Sequence, residues 1–131
     1  MFEDAELIYR YTRKQAIEDG MLVDLMQPGI AELVREAGIK FPVAMTSTAY
    51  SECIMPASGV LPQGQDVNGR LWDVLMLLRF GIKKLPPQED RVFFKVGVWD
   101  GAKHVEVKLW ALCGPGDEGE PVITVMLEGE D

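Results

Sequence analysis

The stretch VFFKVGVWDGAKHVEVKLWAL, residues 92–112, decides the fold of this chain. Apolar and polar residues alternate on both sides of Asp100-Gly101, and such a dipeptide between two alternating segments is typical of a β-hairpin. One face of the predicted hairpin carries Val92, Phe94, Val96, Val98, Val105, Val107 and Leu109. The hairpin therefore has an apolar face that other elements must cover.

A third strand is predicted at residues 121–127, after a turn rich in glycine and proline at residues 114–117. Together with the hairpin it forms a three-stranded antiparallel meander. Helical patterns upstream supply the cover for one face, which predicts an α+β fold. Short apolar runs at residues 7–9, 21–23 and 41–45 are candidates for strands added to this sheet.

Three short helices are indicated by caps and by apolar spacing. Thr12 and Gln15 have the spacing of a capping box, in which each side chain accepts a hydrogen bond from the backbone N–H of the other residue. Residues 30–37 repeat apolar side chains at helical spacing. Residues 46–48 offer hydroxyl N-caps for a helix that ends near Cys53.

The longest predicted helix runs from Arg70 to about Lys84 and is apolar nearly all round over residues 71–82. Such a helix lies in the core or forms a homodimer interface. A loop at residues 56–69 precedes it, and loops of this length are often functional. Where loop and helix meet, Gln65, Asp66, Arg70 and Asp73 form a polar cluster that is either the edge of a site or, more simply, a helix cap by Asp66.

Composition limits the classes of function. The chain has 131 residues, 47% of them apolar, and a net charge of −8. This predicts one domain, residues 1–131, with a sizeable core and no basic stripe for direct contact with nucleic acid. The longest apolar stretch is too short and too charged to cross a membrane. An acidic N-terminus and two distant cysteines favour a reducing cytoplasm.

The chain offers few residues for catalysis or metal binding. His104 is the only histidine, and it is expected on the polar face of the hairpin. Cys53 and Cys113 are expected to be core thiols, although one disulfide between them is the alternative. No familiar metal-ligand spacing is present, so no metal and no cofactor is expected. An enzyme is therefore less expected than a binding protein.

Residues 7–22 resemble the opening segment of ADP-ribosyltransferase-like folds, in which a strand ends in an aromatic–His/Arg–aromatic triplet. The resemblance implies that Arg10 would hold the diphosphate of NAD. Thr46-Ser47-Thr48 is similar to the Ser-Thr-Ser strand of that class, with Ser47 at its centre. Glu118-x-Glu120 or Glu128-x-Glu130 would then correspond to its Glu-x-Glu, with Glu120 or Glu130 stabilising the developing positive charge. The alternative is that these residues are surface and capping residues.

The C-terminal region concentrates negative charge around the third strand. The candidate binding residues are two tryptophans expected on the polar face of the hairpin and five carboxylates: Trp99, Trp110, Asp117, Glu118, Glu120, Glu128 and Glu130. No lysine or arginine lies in residues 115–131, so these carboxylates would attract basic partners if they gather into one field. Exposed tryptophans would anchor such a partner, and covered ones would be core.

The chain as a whole resembles an uncharacterised family of small bacterial proteins, often encoded on phages and plasmids. The resemblance is carried by YTRxQAIxDGxLVD at residues 11–24, EAGxxFPVA at 36–44, GQD at 64–66 with GRLWDVL at 69–75, and CGPGDxGEPVIT at 113–124. It implies a mobile-element context and a bacterial cytoplasm, but no activity.

The leading hypothesis is a non-enzymatic interaction protein of a mobile genetic element. It would bind a basic partner protein, such as a nucleic-acid-binding host enzyme, through its acidic carboxylates. The alternatives are a small ADP-ribosyltransferase-like enzyme acting on NAD or a nucleotide, and a homodimer formed through residues 71–82.

Overall fold

The computed structural model describes residues 12–130, which form four helices and five strands. The helices are α1 (Arg13–Glu18), α2 (Ala31–Glu36), α3 (Ser47–Cys53) and α4 (Val67–Lys83). The strands are β1 (Leu22–Asp24), β2 (Val43–Thr46), β3 (Arg91–Trp99), β4 (His104–Pro115) and β5 (Pro121–Leu127). The α+β class expected from the sequence is confirmed.

One mixed sheet contains all five strands in the order β1-β2-β5-β4-β3. The predicted hairpin is present, with Trp99 opposite His104, and β4 pairs antiparallel with β5. The two short upstream strands extend this meander: β2 pairs with β5 in parallel, and β1 pairs with β2 antiparallel. The strand β5 therefore lies at the centre of the sheet.

Helices α2, α3 and α4 cover one face of the sheet and enclose the main core. Alternate residues of the strands, including Val96, Leu109 and Val125, pack there against Leu71, Leu75 and Leu78 of α4 and other buried side chains. Within residues 71–82, Asp73 and Phe80 are exposed while the rest are buried or half-buried. Most of the apolar surface of α4 is thus used inside the chain. The homodimer through residues 71–82 remains a prediction.

Helix α1 packs on the opposite face of the sheet. The expected capping box is confirmed, because the Thr12 hydroxyl accepts a hydrogen bond from the Gln15 amide while the Gln15 side chain accepts one from the Thr12 amide. The Arg13 guanidinium donates to the hydroxyl of Thr124, whose side chain points away from the main core. The two faces of β5 therefore meet different helices.

The long helix begins as its cap predicts. Asp66 accepts a hydrogen bond from the amide of Gly69 at 2.6 Å, so α4 starts at Val67, three residues before the predicted start. The predicted strand at residues 7–9 lies outside the described residues. No helix of residues 12–130 is both long and apolar enough to cross a membrane.

Candidate functional site

The acidic C-terminal residues are divided between the two ends of β5. Glu120 precedes this strand and Glu128 follows it, with seven strand residues between them. Because an extended strand rises about 3.3 Å per residue, these two positions are roughly 26 Å apart. That distance exceeds the Debye length of about 8 Å at physiological salt. The carboxylates therefore form two separate surfaces rather than one continuous field.

At the first end, the turn Gly116–Glu120 uses its carboxylates to hold backbone amides. Asp117 accepts hydrogen bonds from the amides of Arg13 (2.7 Å) and Lys14 (3.0 Å), which stabilises the start of α1. Glu120 folds back and accepts from the amide of Glu118 at 3.0 Å. The Glu118 side chain is exposed and makes no hydrogen bond or ion pair with the described residues.

Arg13 brings positive charge to this end of β5. Its guanidinium donates to the Thr124 hydroxyl (2.6 Å) and to the carbonyl of Ile123 (2.9 Å). Burial lowers the pKa of Arg13, and the negative charges of Asp24, Asp117 and Glu120 act in the opposite direction. The carboxylates around Arg13 are thus partly neutralised.

A cleft of about 720 Å³ lies beside Arg13, between α1 and the turn that follows β4. It brings together parts of the segments 11–24 and 113–124, which are far apart in the sequence. Its polar side chains are already engaged, since Arg13 is bonded to Thr124 and Asp117 to the amides of α1. These polar groups therefore hold parts of the fold together, which makes the cleft a weaker candidate for a ligand site.

At the second end of β5, Glu130 is held by three donors. Its carboxylate accepts from the Thr46 hydroxyl (2.8 Å), the Leu127 amide (2.7 Å) and the Thr48 hydroxyl (2.6 Å). Partial burial tends to raise the pKa of Glu130, but the bonds from Thr48, Leu127 and Thr46 outweigh it, and the pKa lies below the ordinary value. Glu130 is thus an ordered, ionised group at neutral pH.

A groove of about 290 Å³ adjoins Glu130 between α3 and the end of β5. We call it the Glu130 groove; Ser47, Thr48, Ser51, Glu52 and Leu127 line it. Glu52 and Glu128 are exposed at this end. Within residues 12–130, no lysine or arginine forms an ion pair with Glu52, Glu128 or Glu130. The groove therefore presents hydroxyls and carboxylates that form no ion pair with a lysine or arginine of the described residues.

Trp110 supports the Glu130 groove from behind. Its side chain is only 8% exposed, and its indole N–H donates to the backbone carbonyl of Glu130 at 2.8 Å. The ring stacks on Phe93 with centroids 6.0 Å apart, and the Arg91 guanidinium lies 5.4 Å from the ring centroid. Trp110 can thus fix the position of Glu130 but offers little surface of its own.

Trp99 lies further along the hairpin. Its ring is tilted against His104, with centroids 5.0 Å apart, and its carbonyl accepts a hydrogen bond from the buried Arg70. The two tryptophans do not face each other across the strands, because Trp99 is opposite His104 and Trp110 is opposite Phe93. Trp99 is half-buried and lines a second cleft on the helical side of the hairpin.

The residues expected for an ADP-ribosyltransferase-like site are only partly brought together. Ser47 and Glu120 lie at opposite ends of β5, whereas Glu130 accepts hydrogen bonds from the two threonines that flank Ser47. Arg10 lies outside the described residues. No cluster of three or more potential metal ligands occurs within residues 12–130.

Both cysteines are free thiols. Burial raises the pKa of Cys53 to about 12, with a further contribution from Glu52 and an opposing one from Arg70. Burial also raises the pKa of Cys113. Since the thiolate is the nucleophile, neither cysteine is activated for catalysis.

Sequence reasoning assigned too small a role to Thr46, Thr48, Glu52 and Arg70. The two threonines were expected as helix caps or as the flanks of Ser47 in an ADP-ribosyltransferase-like motif, and Thr46 does cap α3 through the Ala49 amide. Their bonds to Glu130 cross 82–84 positions of sequence, so no local pattern predicts them. One sequence feature did point to a role for Arg70: it belongs to the polar cluster where the long loop meets α4.

The family comparison accounts for the whole chain. A model described as "Family of unknown function (DUF6573)" matches residues 1–131, and the chain belongs to this family. Comparison with curated proteins and with solved structures gave no significant match. The family match brings no activity with it.

Proposed function

We propose that this chain is a non-enzymatic interaction protein that binds a basic partner protein at the Glu130 groove. One observation carries the proposal: Glu130 is fixed by three hydrogen bonds next to a groove that Glu52 lines, with Glu128 exposed at the same end of β5. No lysine or arginine of residues 12–130 forms an ion pair with these carboxylates. Lysine or arginine side chains of a partner would supply the missing positive charge.

The order of Glu130 favours binding because little conformational freedom remains to be lost. A carboxylate already held by Thr46, Thr48 and the Leu127 amide does not have to be immobilised when a cation arrives. Trp110 adds to this order by binding the Glu130 carbonyl. The hydroxyls of Ser47 and Ser51 offer further acceptors for an ammonium or guanidinium group.

The identity of the partner is part of the same proposal. A nucleic-acid-binding host protein has the basic surface that such a groove would recognise. The mobile-element setting and bacterial cytoplasm implied by the family resemblance fit a small protein that blocks a host protein of that kind. The remaining candidate residues, Trp99, Asp117, Glu118 and Glu120, would lie outside the primary contact.

The test compares two double variants that change the net charge equally. Glu52→Gln/Glu128→Gln removes one carboxylate that lines the groove and one that is exposed at the same end of β5, and Glu36→Gln/Glu89→Gln removes two exposed carboxylates elsewhere. Binding of oligolysine and oligoarginine peptides is measured by calorimetry at several salt concentrations. The groove variant should bind weaker by roughly a factor of two to thirty, because each exposed ion pair contributes about 0.2–1 kcal/mol.

Affinity capture from a bacterial lysate extends the test to a natural partner. Salt should release that partner from the wild-type protein, and the groove variant should fail to capture it while the Glu36/Glu89 variant succeeds. If both double variants lose peptide affinity equally, binding follows net charge alone and the proposed groove is wrong.

A second candidate is an enzyme acting on NAD or a nucleotide. It is favoured by one contact, the pairing of Glu130 with Thr46 and Thr48 around Ser47. On this alternative the protein cleaves NAD, and Glu130→Gln abolishes the cleavage. Chromatographic assay of nicotinamide release decides the matter, and no release by the wild-type protein ends this candidate.

A further inference from the structure

Arg70 is a buried cation without a carboxylate partner. Its side chain is 6% exposed, and no other charged side chain of residues 12–130 is buried. It forms no ion pair with the described residues. An arginine remains charged in proteins, and burying an unpaired charge is costly. Such a cation would gain from an anion that reaches it.

The neutral partners of Arg70 leave part of its guanidinium unused. The Nε donates to the Gln65 side-chain oxygen and Nη1 to the carbonyl of Ile54, both at 3.2 Å, while Nη2 donates to the carbonyl of Trp99. A guanidinium has five N–H groups. Two therefore remain, one on each terminal nitrogen, and a carboxylate that reached them could accept from both.

Arg70 lines a cleft of about 550 Å³ between the loop after α3 and the β3–β4 hairpin. We call it the Arg70 cleft. Its other walls combine apolar residues, including Leu61, Pro62, Val98 and Trp99, with polar ones, among them Ser58 and Gln63. Val60 stands at the rim and is 71% exposed. A space of this size accepts a small molecule or the end of a peptide.

We propose that the Arg70 cleft binds a small carboxylate with an apolar body. The carboxylate would receive the two remaining N–H groups of Arg70, and the apolar part would lie against Trp99 and Leu61. This site shares Ser51 and Glu52 with the Glu130 groove. It differs from the proposed contact with a basic partner because its ligand is an anion and Arg70 provides the recognition.

The charged residues at the cleft favour a ligand with a single negative charge over one with two. Glu52 and Asp100 also line it, and neither pairs with Arg70. Asp100 is engaged by the amides of Ala102 (2.8 Å) and Lys103 (2.9 Å). Both carboxylates are exposed and so screened by water, but they would repel a doubly charged phosphate more than a carboxylate.

The first experiment titrates the full chain with phenylacetate and with its neutral amide. Binding is followed by NMR at the Trp99 indole N–H and the Arg70 Nε–H. Phenylacetate should shift both signals and the amide should not. Inorganic phosphate should bind more weakly than phenylacetate, and tighter phosphate binding would overturn the assignment of a carboxylate ligand.

Variants locate the site. Arg70→Gln should weaken phenylacetate binding roughly tenfold or more, because it removes the charge-assisted fork. Arg79→Gln is the matched control in the same helix, since Arg79 donates to the carbonyl of Ala37 elsewhere. Equal binding by the Arg70 variant and the wild type would overturn the proposal.

A second pair of variants keeps the proposal testable if Arg70→Gln does not fold. Val60→Lys and Val60→Asp alter only an exposed rim position. The lysine should tighten phenylacetate binding and the aspartate should weaken it, each by a few fold at low salt. No difference between them, or no binding of phenylacetate by the wild type, would refute the site. Peptides with free or amidated C-termini then distinguish a peptide end from a free acid.

Discussion

Asp117 stabilises the first turn of α1 from a position more than a hundred residues away in sequence. It accepts hydrogen bonds from two N-terminal amides of that helix, those of Arg13 and Lys14. We expect Asp117→Ala to lower the free energy of unfolding by about 1–2 kcal/mol, as the loss of a helix N-cap does. Urea denaturation at neutral pH measures the change.

The neighbouring Glu118 provides the matched control for Asp117. Its side chain is exposed and makes no hydrogen bond with the described residues, so Glu118→Ala should change the stability by less than about 0.5 kcal/mol. Hydrogen exchange adds a local measurement, because the α1 amides should exchange faster only in the Asp117 variant. Equal effects of the two substitutions would contradict the assigned role of Asp117.

Glu130 gives a prediction about acid stability. Its pKa in the folded chain lies below the ordinary value of 4.5, so its ionised form stabilises the fold above that pH, and the contribution is lost as the pH falls through the folded pKa. Glu130→Ala should therefore cost about 1–2 kcal/mol at pH near 7, and progressively less below pH about 4.5.

Denaturation of the wild type and Glu130→Ala across the acidic range tests this dependence. Glu128→Ala is the control, since Glu128 is exposed and has no side-chain partner among the described residues. The difference between wild type and the Glu128 variant should stay small at every pH. A Glu130 effect that does not shrink in acid would show that the ionised carboxylate is not what stabilises the fold.

Local contacts were the part of the side-chain arrangement that the sequence could predict. The capping box of Thr12 and Gln15 and the Asp66 cap of α4 join residues three positions apart. Each can therefore be recognised from the spacing of its residues in the sequence. The bonds of Glu130 to Thr46 and Thr48 have no such spacing. They depend on β2 and β5 lying side by side, which is a property of the fold.

At the scale of elements, Gly81 of α4 lies directly against Val92 of β3. A Cβ built on Gly81 would collide with the Cγ1 of Val92. Alanine normally favours a helix over glycine by about 1 kcal/mol. We nevertheless expect Gly81→Ala to destabilise the chain by roughly 1–3 kcal/mol, because valine is β-branched and cannot easily turn aside.

The double variant Gly81→Ala/Val92→Ala tests whether this contact is the cause. Val92→Ala alone removes buried methyl groups and should cost roughly 2 kcal/mol. Together the two changes should cost at least about 1 kcal/mol less than their sum, since the smaller side chain makes room for the new Cβ. Additive losses in thermal or urea unfolding would exclude the collision as the source.

The antiparallel pairs of the meander β3–β4–β5 were predictable from the sequence, and the parallel pair was not. Asp100-Gly101 marks the hairpin because its two strands are joined by a short turn. The pairing of β2 with β5 joins segments about eighty residues apart, and parallel neighbours have no turn signature. The sequence indicated an extended segment at residues 41–45 without giving its neighbour.

For the whole molecule, the central place of β5 makes the fold depend on it. This strand joins the pair β1–β2 to the hairpin β3–β4. A chain shortened to residues 1–118 should therefore lack cooperative unfolding and dispersed NMR signals, because two sheet fragments would expose unpaired edges and apolar surface. A sigmoidal urea transition in the shortened chain would contradict this expectation.

The charge of the whole molecule was predictable, but its arrangement was only partly so. The excess of carboxylates near the C-terminus can be seen in the sequence. The length of the seven-residue strand between the two groups already indicates that they are far apart. What the linear order could not give is the position of Arg13, whose positive charge lies near one group of carboxylates.

The position of β5 also has a consequence for synthesis on the ribosome. Translation proceeds from the N-terminus, so residues 12–115 emerge before the strand that completes their sheet. Until Leu127 has left the exit tunnel, the edges of β2 and β4 that face β5 stay unpaired, and the nascent chain is a substrate for chaperones or for premature association with other chains. A nonsense codon shortly before Pro121 should accordingly yield a product that proteases remove.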